Sequence, residues 1–314
     1  MSITSKGKKA CVILDNNQVV TKILVLQEVW ELEGDMLLKF AVDVKKGDTL
    51  VRISGTNVVA DADYKIGDYL YFAKGTFQPT EIRFYINANE KYDHYSEIRF
   101  LKGLDISRIK SFYRILGGWD GTTRVQKIDV SHFDTKNVTD MSSTFCNCRS
   151  LTSLDVSNFD TTNATAMSTM FCGCYSLTSL DVSKFNTENV TLMNHMFCNC
   201  PSLTSLDVSN FDTSKVTAMG SMFNNCSSLT NLIFGSKWGT QTSTAANALE
   251  LDLSALGSRK SYKLTDETYN SMLTMYDRAS NGLTTMTIKF STKHNLPDGF
   301  AEKMSALGYT ITLV

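Results

Sequence analysis

Four consecutive copies of a 26-residue unit occupy residues 125–228, with no insertion between them. The copies are residues 125–150, 151–176, 177–202 and 203–228, and a fifth begins at Leu229 before the pattern is lost. A unit of this size cannot bury an apolar face by itself, so adjacent copies must stack on one another. The repeat therefore predicts a solenoid, in which each copy is one layer, or rung, and each position of the unit forms a column.

The second copy shows what each rung should contain. Apolar and polar residues alternate over 154–157, which predicts a short half-buried strand, and Phe159, Asp160 and Thr161 predict a turn. Apolar residues then follow at i, i+3, i+4 and i+7, the spacing of one helix face: Met167, Met170, Phe171 and Cys174. Thr165 is positioned as the N-cap of that short helix. We expect the strands to stack in parallel at ~4.8 Å per rung.

Stacking turns the large apolar residues of the unit into core columns. Burial of each such side chain contributes roughly 1.5–3 kcal/mol before entropy is subtracted. The predicted columns are Phe133, Phe159, Phe185 and Phe211; Phe145, Phe171, Phe197 and Phe223; and Met141, Met167, Met193 and Met219.

The pattern LTSLDVSxFDTxxVTxMxxMFxxCxS closely resembles the BspA-like leucine-rich repeat, in its 26-residue bacterial surface-protein form. The resemblance covers residues 125–228, and 98–314 if irregular end rungs are counted. It implies an α/β leucine-rich-repeat solenoid used for adhesion or partner binding, with no catalytic residues to carry over.

The resulting domain prediction has two parts. Residues 1–97 form an all-β sandwich or barrel that serves as an attachment module, with strands at 10–14, 19–26, 37–42, 49–53, 69–73 and 81–86. Residues 98–314 form the solenoid, with a degenerate first rung at 98–124 and irregular closing rungs at 229–314. The closing rungs should contain strands at 249–254, 286–290 and 309–314, and helices near 265–278 and 298–307, the second ended by Gly308.

Cysteine recurs in the repeat as pairs separated by one residue. The pairs are Cys146 and Cys148, Cys172 and Cys174, and Cys198 and Cys200, while the fourth copy keeps only Cys226. The second cysteine of each pair falls on the apolar stripe, where free cysteine behaves as a small hydrophobic residue. Reduced packing cysteines are therefore the favoured interpretation, with disulfides between rungs and a zinc site as the alternatives.

The charge balance excludes some classes of protein. The chain has 314 residues with 31 Lys+Arg and 32 Asp+Glu, a net charge of -1. A nucleic-acid protein needs a surplus of Lys and Arg on one face, which this balance does not provide. A membrane-spanning helix needs about 18 apolar residues in a row, and the sequence contains no such run. We predict neither nucleic-acid binding nor membrane insertion, and the N-terminus shows no secretory signal.

The candidate binding face is the polar side of the predicted strands, which is rich in small side chains. It comprises Ser153, Asp155, Ser157, Ser179, Asp181, Ser183, Ser205, Asp207 and Ser209. A calcium site or a glycosidase carboxylate pair would also use aspartates. However, the same aspartate occurs in every copy, which favours hydrogen bonding to neighbouring Ser and Thr. No catalytic, metal-binding or cofactor-binding residue is predicted, and His132 and His195 are interpreted as surface variation.

The sequence therefore predicts a non-enzymatic recognition protein. Repeats of the kind that this chain resembles also occur in phage appendage proteins. The resemblance therefore implies, as the favoured role, a component of a phage virion appendage, of head- or tail-fibre type, located on the virion surface and binding a host-surface or mucosal glycan or protein. Residues 1–97 would contact other virion or surface proteins, and a homo-oligomer is compatible with this role. The alternatives are a bacterial cell-surface adhesin, an intracellular scaffold in the cytoplasm and, in a different class, a carbohydrate-active enzyme.

Overall fold

The computed structural model describes residues 36–40, 45, 49–53, 56–59, 69–72, 82–83, 95–100, 106–116, 124–243 and 250–314. It is a parallel β-solenoid of about eight turns with few helices. The predicted stacking of the repeat copies is thus confirmed.

Twelve strands and two α-helices lie in the described residues. The strands are β1 (Met36–Phe40), β2 (Thr49–Ile53), β3 (Thr56–Val59), β4 (Tyr69–Phe72), β5 (Ile82–Arg83), β6 (Tyr95–Phe100), β7 (Lys127–Asp129), β8 (Ser205–Asp207), β9 (Asn231–Ile233), β10 (Glu250–Asp252), β11 (Met286–Phe290) and β12 (Tyr309–Leu313). The helices are α1 (Asp266–Met272) and α2 (Phe300–Ala306).

The N-terminal strands include one that joins the repeat array. β6 pairs antiparallel with β1 and parallel with β7, so the sheet order is β4-β1-β6-β7. β2 pairs antiparallel with β3 and with β5. β2 begins and ends as predicted, and β1, β4 and β5 overlap predicted strands, whereas β3 and β6 fall outside every predicted segment. The predicted strands at 10–14 and 19–26 lie outside the described residues, and the sandwich or barrel stays a prediction.

Neighbouring copies stack in register, one copy per rung. Ser205 pairs with Asn231 and Asp207 with Ile233, so β8 and β9 are offset by 26 residues. Regular strands form in the first and fourth copies as β7 and β8, but not over residues 151–157 or 177–183. Over those residues the hydrogen bonds between rungs are longer. For example, the Thr204 N–H donates to the Thr178 carbonyl, one copy earlier, at 3.4 Å.

The predicted short helix is wrong, because this part of each copy is a run of turns. Met141 N–H donates to the carbonyl of Ala166 and Phe145 N–H to that of Met170, both at 2.9 Å. These bonds reach the next rung, whereas helical bonds would stay within one segment. Left-handed backbone also interrupts any helix at two positions of each copy, with φ between 55° and 78°: Ser143, Asn147, Thr169, Gly173, His195, Asn199, Ser221 and Asn225. Thr165 is therefore not the N-cap of a helix, and its hydroxyl instead donates to the carbonyl of Thr139 in the previous copy.

The predicted core columns are confirmed, since all twelve Phe and Met side chains are buried. In the second aromatic column the ring centroids are 5.6 Å apart between Phe145 and Phe171 and 5.7 Å apart between Phe171 and Phe197. The rings are almost parallel, at 6° and 5°. Trp238, fully buried, stacks on Phe211 at 6.4 Å after the fourth copy. The columns form one continuous core along the array.

The closing rungs follow the predicted order of elements. β10, β11 and β12 form a parallel sheet, and Gly308 follows α2 with φ +84°. α1 is shorter than predicted and ends at Met272. A feature that the sequence did not indicate is Arg278, which is buried and donates to the main-chain carbonyls of Gly239, Gln241 and Thr284. This guanidinium ties the closing rungs to the end of the repeat array.

Candidate binding face

The nine residues predicted as a binding face are all exposed, and we call them the serine–aspartate face. They are Ser153, Asp155, Ser157, Ser179, Asp181, Ser183, Ser205, Asp207 and Ser209. The alternating residues beside them point inward, and Leu154, Val156 and Leu206 are buried. A rigid apolar core therefore presents the same three polar side chains on each of three successive rungs.

Each aspartate of this face closes a small turn of its own rung. Asp155 Oδ1 accepts the Ser157 N–H at 2.9 Å, and Asp181 and Asp207 accept from Ser183 and Ser209 at the same distance. Aspartate commonly makes this bond two residues along the chain. The bonds from Ser157 and Ser183 hold the pKa of Asp155 and of Asp181 below the ordinary value. The expected hydrogen bonding to neighbouring serine is thus confirmed.

The aspartates of the serine–aspartate face can also be assessed as metal ligands and as general acids. Within the described ranges, no cluster of three or more His, Cys, Asp or Glu side chains is arranged to hold a metal ion. A general acid needs a pKa that is raised toward neutral pH. The lowered pKa values of Asp155 and Asp181 instead favour the ionised carboxylate, which accepts hydrogen bonds but does not donate a proton.

A polar column inside the solenoid was missed by the sequence analysis. The hydroxyl of Thr161 donates to the carbonyl of Asn186 at 2.9 Å and accepts the N–H of the same residue at 2.7 Å. Thr187 makes the same pair of bonds with Asp212. The signal was present, because this threonine is identical in all four copies: Thr135, Thr161, Thr187 and Thr213. The residue before it is Asp or Asn, and this pair by itself indicates only a turn.

The cysteines form two columns with different chemistry. The inner column is buried, and each thiol donates to a carbonyl of an earlier rung at 3.1 to 3.6 Å: Cys148, Cys174, Cys200 and Cys226. Burial raises the pKa of Cys200 to about 12. The prediction of packing cysteines is confirmed for this column.

The outer column corrects the prediction of reduced cysteines. Cys172 and Cys198 are joined as a disulfide between adjacent rungs, with their Cα atoms 4.6 Å apart. Stacking causes this, because it brings equivalent positions within the span that a disulfide needs. Cys146, one rung earlier, keeps a free and partly buried thiol.

The histidines differ in exposure. His132 and His195, which were interpreted as surface variation, are both exposed. His294, for which no role was predicted, is buried in the closing rungs, and its Nε2 lies 3.0 Å from the Leu256 carbonyl. The described helices, α1 and α2, have neither the length nor the apolarity of a membrane span.

These features define the class of the molecule, a solenoid repeat protein with a continuous core and a regular polar face. Residues 110–238 match the family model described as "Mycoplasma protein of unknown function, DUF285". The match begins in the rung before the first copy and ends at Trp238, which stacks on the end of the aromatic column. No curated protein and no solved structure matches the chain.

Proposed function

We propose that the chain is a non-enzymatic recognition protein of the leucine-rich-repeat type, and that its serine–aspartate face binds a glycan or a polar protein surface. The observation that carries the proposal is the regular exposure of Ser153, Asp155 and Ser157, and of their equivalents, above a buried core. Hydroxyl and carboxylate groups on a stiff scaffold form hydrogen bonds with little entropy to lose on binding.

Repetition raises the strength of such binding. One rung offers few contacts, but equivalent groups on successive rungs engage a repeating or extended partner together. The four copies hold 5 Lys+Arg and 9 Asp+Glu, a net charge of -4. Along the whole face this charge disfavours a uniformly anionic partner and favours neutral or basic ones.

The test is a panel of immobilised glycans and mucins, probed with the full chain and two double variants. Ser153→Arg with Ser179→Arg places bulky side chains on the face, whereas Leu192→Arg with Asn224→Arg places the same groups at exposed positions outside it. We expect the face variant to bind about tenfold more weakly, equivalent to about 1.4 kcal/mol, and the control to bind as wild type. Equal binding by all three proteins, or no retention on any surface, would overturn the proposal.

For the location we propose the surface of a phage virion, with residues 1–97 as the attachment module. The supporting argument is the resemblance to repeats that also occur in phage appendage proteins. Mass spectrometry of purified virions from the source should detect peptides of this chain. Their absence from virions, with recovery from the cell surface, would favour the adhesin alternative.

A further inference from the structure

A second candidate site lies where the closing rungs fold back on the repeats, and we call it the Tyr175 pocket. Its volume is about 310 Å³. Tyr175, Asn199, Pro201 and Asn225 come from the repeat copies, and Arg259 comes from the closing segment. The Arg259 N–H donates to the Ser227 carbonyl at 2.8 Å, which fixes the closing segment against the fourth copy.

The pocket interrupts the regularity of the array. The column that supplies Tyr175, Pro201 and Ser227 to the pocket has a different residue in every copy, and its member in the first copy is Arg149. The serine and aspartate residues of the serine–aspartate face, in contrast, are identical in the last three copies. Stacking does not require one residue type at the position of Tyr175, so the residue in each copy can take a specific role. The pocket is also formed once, because only the last copies meet the closing segment.

The groups in the pocket suit a sugar ring that bears an acid. The Tyr175 side chain is 40% exposed, and the Arg149 guanidinium lies over one face of its ring, with its carbon 4.9 Å from the centroid, so a sugar must pack on the opposite face. An exposed aromatic ring offers a flat apolar surface to the C–H face of a sugar, with a polar group at its edge. Asn199 and Asn225 are joined by a 2.9 Å hydrogen bond and bring amide donors and acceptors to the wall.

Charge decides which sugar fits. Arg259 is exposed and lines the pocket, and none of the lining residues carries a carboxylate. A guanidinium binds a carboxylate through two parallel N–H donors. This local positive charge differs from the net negative charge of the four copies. The volume, at the lower end of the roughly 300–1,000 Å³ typical of ligand sites, suits a single sugar residue.

We propose that the Tyr175 pocket binds one acidic sugar residue, a uronate or a sialate, with Tyr175 against the ring and Arg259 on the carboxylate. The inference adds to the function proposed above a site outside the serine–aspartate face. It involves no bond-making step, only recognition.

Saturation-transfer NMR on the full chain tests the proposal, with glucuronate and N-acetylneuraminate as separate probes, and glucose and acetate as neutral and purely anionic controls. Wild type should transfer saturation to at least one acidic sugar, and acetate should not displace it at equal concentration. We expect Tyr175→Leu to abolish the transfer, Tyr175→Phe to retain it, and Arg259→Gln to weaken the affinity for acidic sugar about tenfold.

Two outcomes would overturn the proposal. One is the absence of transfer to both acidic sugars, and the other is unchanged transfer in Tyr175→Leu and Arg259→Gln proteins whose melting curves match wild type. The Ser153→Arg, Ser179→Arg double variant separates the two sites, because it should bind the panel of glycans and mucins about tenfold more weakly while keeping saturation transfer from this pocket.

Discussion

At the scale of single residues, buried hydroxyl groups fix the spacing of the rungs. In the first three copies, the buried threonine satisfies both the N–H and the carbonyl of one residue in the next copy, as Thr187 does for Asp212. A buried backbone group left without a partner costs about 1–3 kcal/mol. The column therefore contributes to stability through the groups that it satisfies as well as through packing.

Thr187→Val keeps the shape of the side chain and removes both bonds. We expect the free energy of unfolding to fall by about 2 kcal/mol, because Asp212 loses a partner for two backbone groups that are only partly exposed. Thr178→Val, at an exposed position, is the matched control and should change stability little. Urea denaturation measures both, and equal stabilities would contradict the role assigned to the column.

The disulfide gives a second prediction at this scale. Peptide mapping without reduction should recover Cys172 linked to Cys198, and the bond should contribute about 3.5 kcal/mol by closing a loop of 26 residues. Cys172→Ser should lower the melting temperature under oxidising conditions and leave it unchanged, relative to wild type, in reductant. Cys146 linked to Cys172 as the main product would show that the outer column pairs differently.

At the scale of elements, part of the fold could be predicted and part could not. β2 and β11 were located from alternation and turn residues, and the apolar columns followed from the repeat. The helix at 167–174 was wrong because the spacing i, i+3, i+4, i+7 also suits a run of turns. Nothing local distinguishes the two, since the deciding hydrogen bonds join residues 25 positions apart, such as Met141 and Ala166. The exposure of the serine–aspartate face could be predicted from the sequence, whereas the Tyr175 pocket depends on how the closing segment folds back.

The closing rungs contain a histidine whose protonation should weaken them. His294 Nδ1 accepts the Ser291 N–H at 3.1 Å, so Nε2 carries the proton that is donated to the Leu256 carbonyl. Burial lowers the pKa of His294. A histidine with a lowered pKa stabilises the fold fully above its unfolded pKa of about 6.5, and this contribution is lost as pH falls through the folded pKa.

We therefore expect the melting temperature to fall between pH 7.5 and pH 5, in part through His294. The His294→Gln variant should be less stable at pH 7.5 but should show a smaller fall over that interval. His132→Gln, at an exposed site, controls for the loss of an imidazole. Differential scanning calorimetry at both pH values provides the comparison, and an identical fall in wild type and His294→Gln would rule out this contribution.

At the scale of the whole molecule, the solenoid is quasi-one-dimensional, and each rung contacts mainly its neighbours. The face and the core are repeated together, so the length of the array sets both its stability and the extent of its binding surface. A change that respects the period of 26 residues should shorten the molecule without altering its cross-section.

Deletion of residues 177–202 removes one whole copy and keeps every column in register. We expect the shortened protein to fold cooperatively, with a lower melting temperature because one interface between rungs and the Cys172–Cys198 disulfide are both lost. Deletion of residues 177–189 is the control, since half a copy exchanges inward and outward positions and should prevent folding. Circular dichroism and size-exclusion chromatography distinguish these outcomes, and two equally folded deletions would contradict stacking in register.

The central claim is that successive copies are layered directly on one another, and contacts between equivalent phenylalanines test it most directly. In a deuterated protein with protonated phenylalanine, nuclear Overhauser spectra should link Phe145 to Phe171, Phe171 to Phe197 and Phe197 to Phe223, whose ring centroids are 5.6 to 5.7 Å apart. Single Phe→Leu variants assign the peaks. The layered solenoid predicts cross-peaks between adjacent copies and none between Phe145 and Phe197. The absence of adjacent-copy peaks in the folded protein would contradict it.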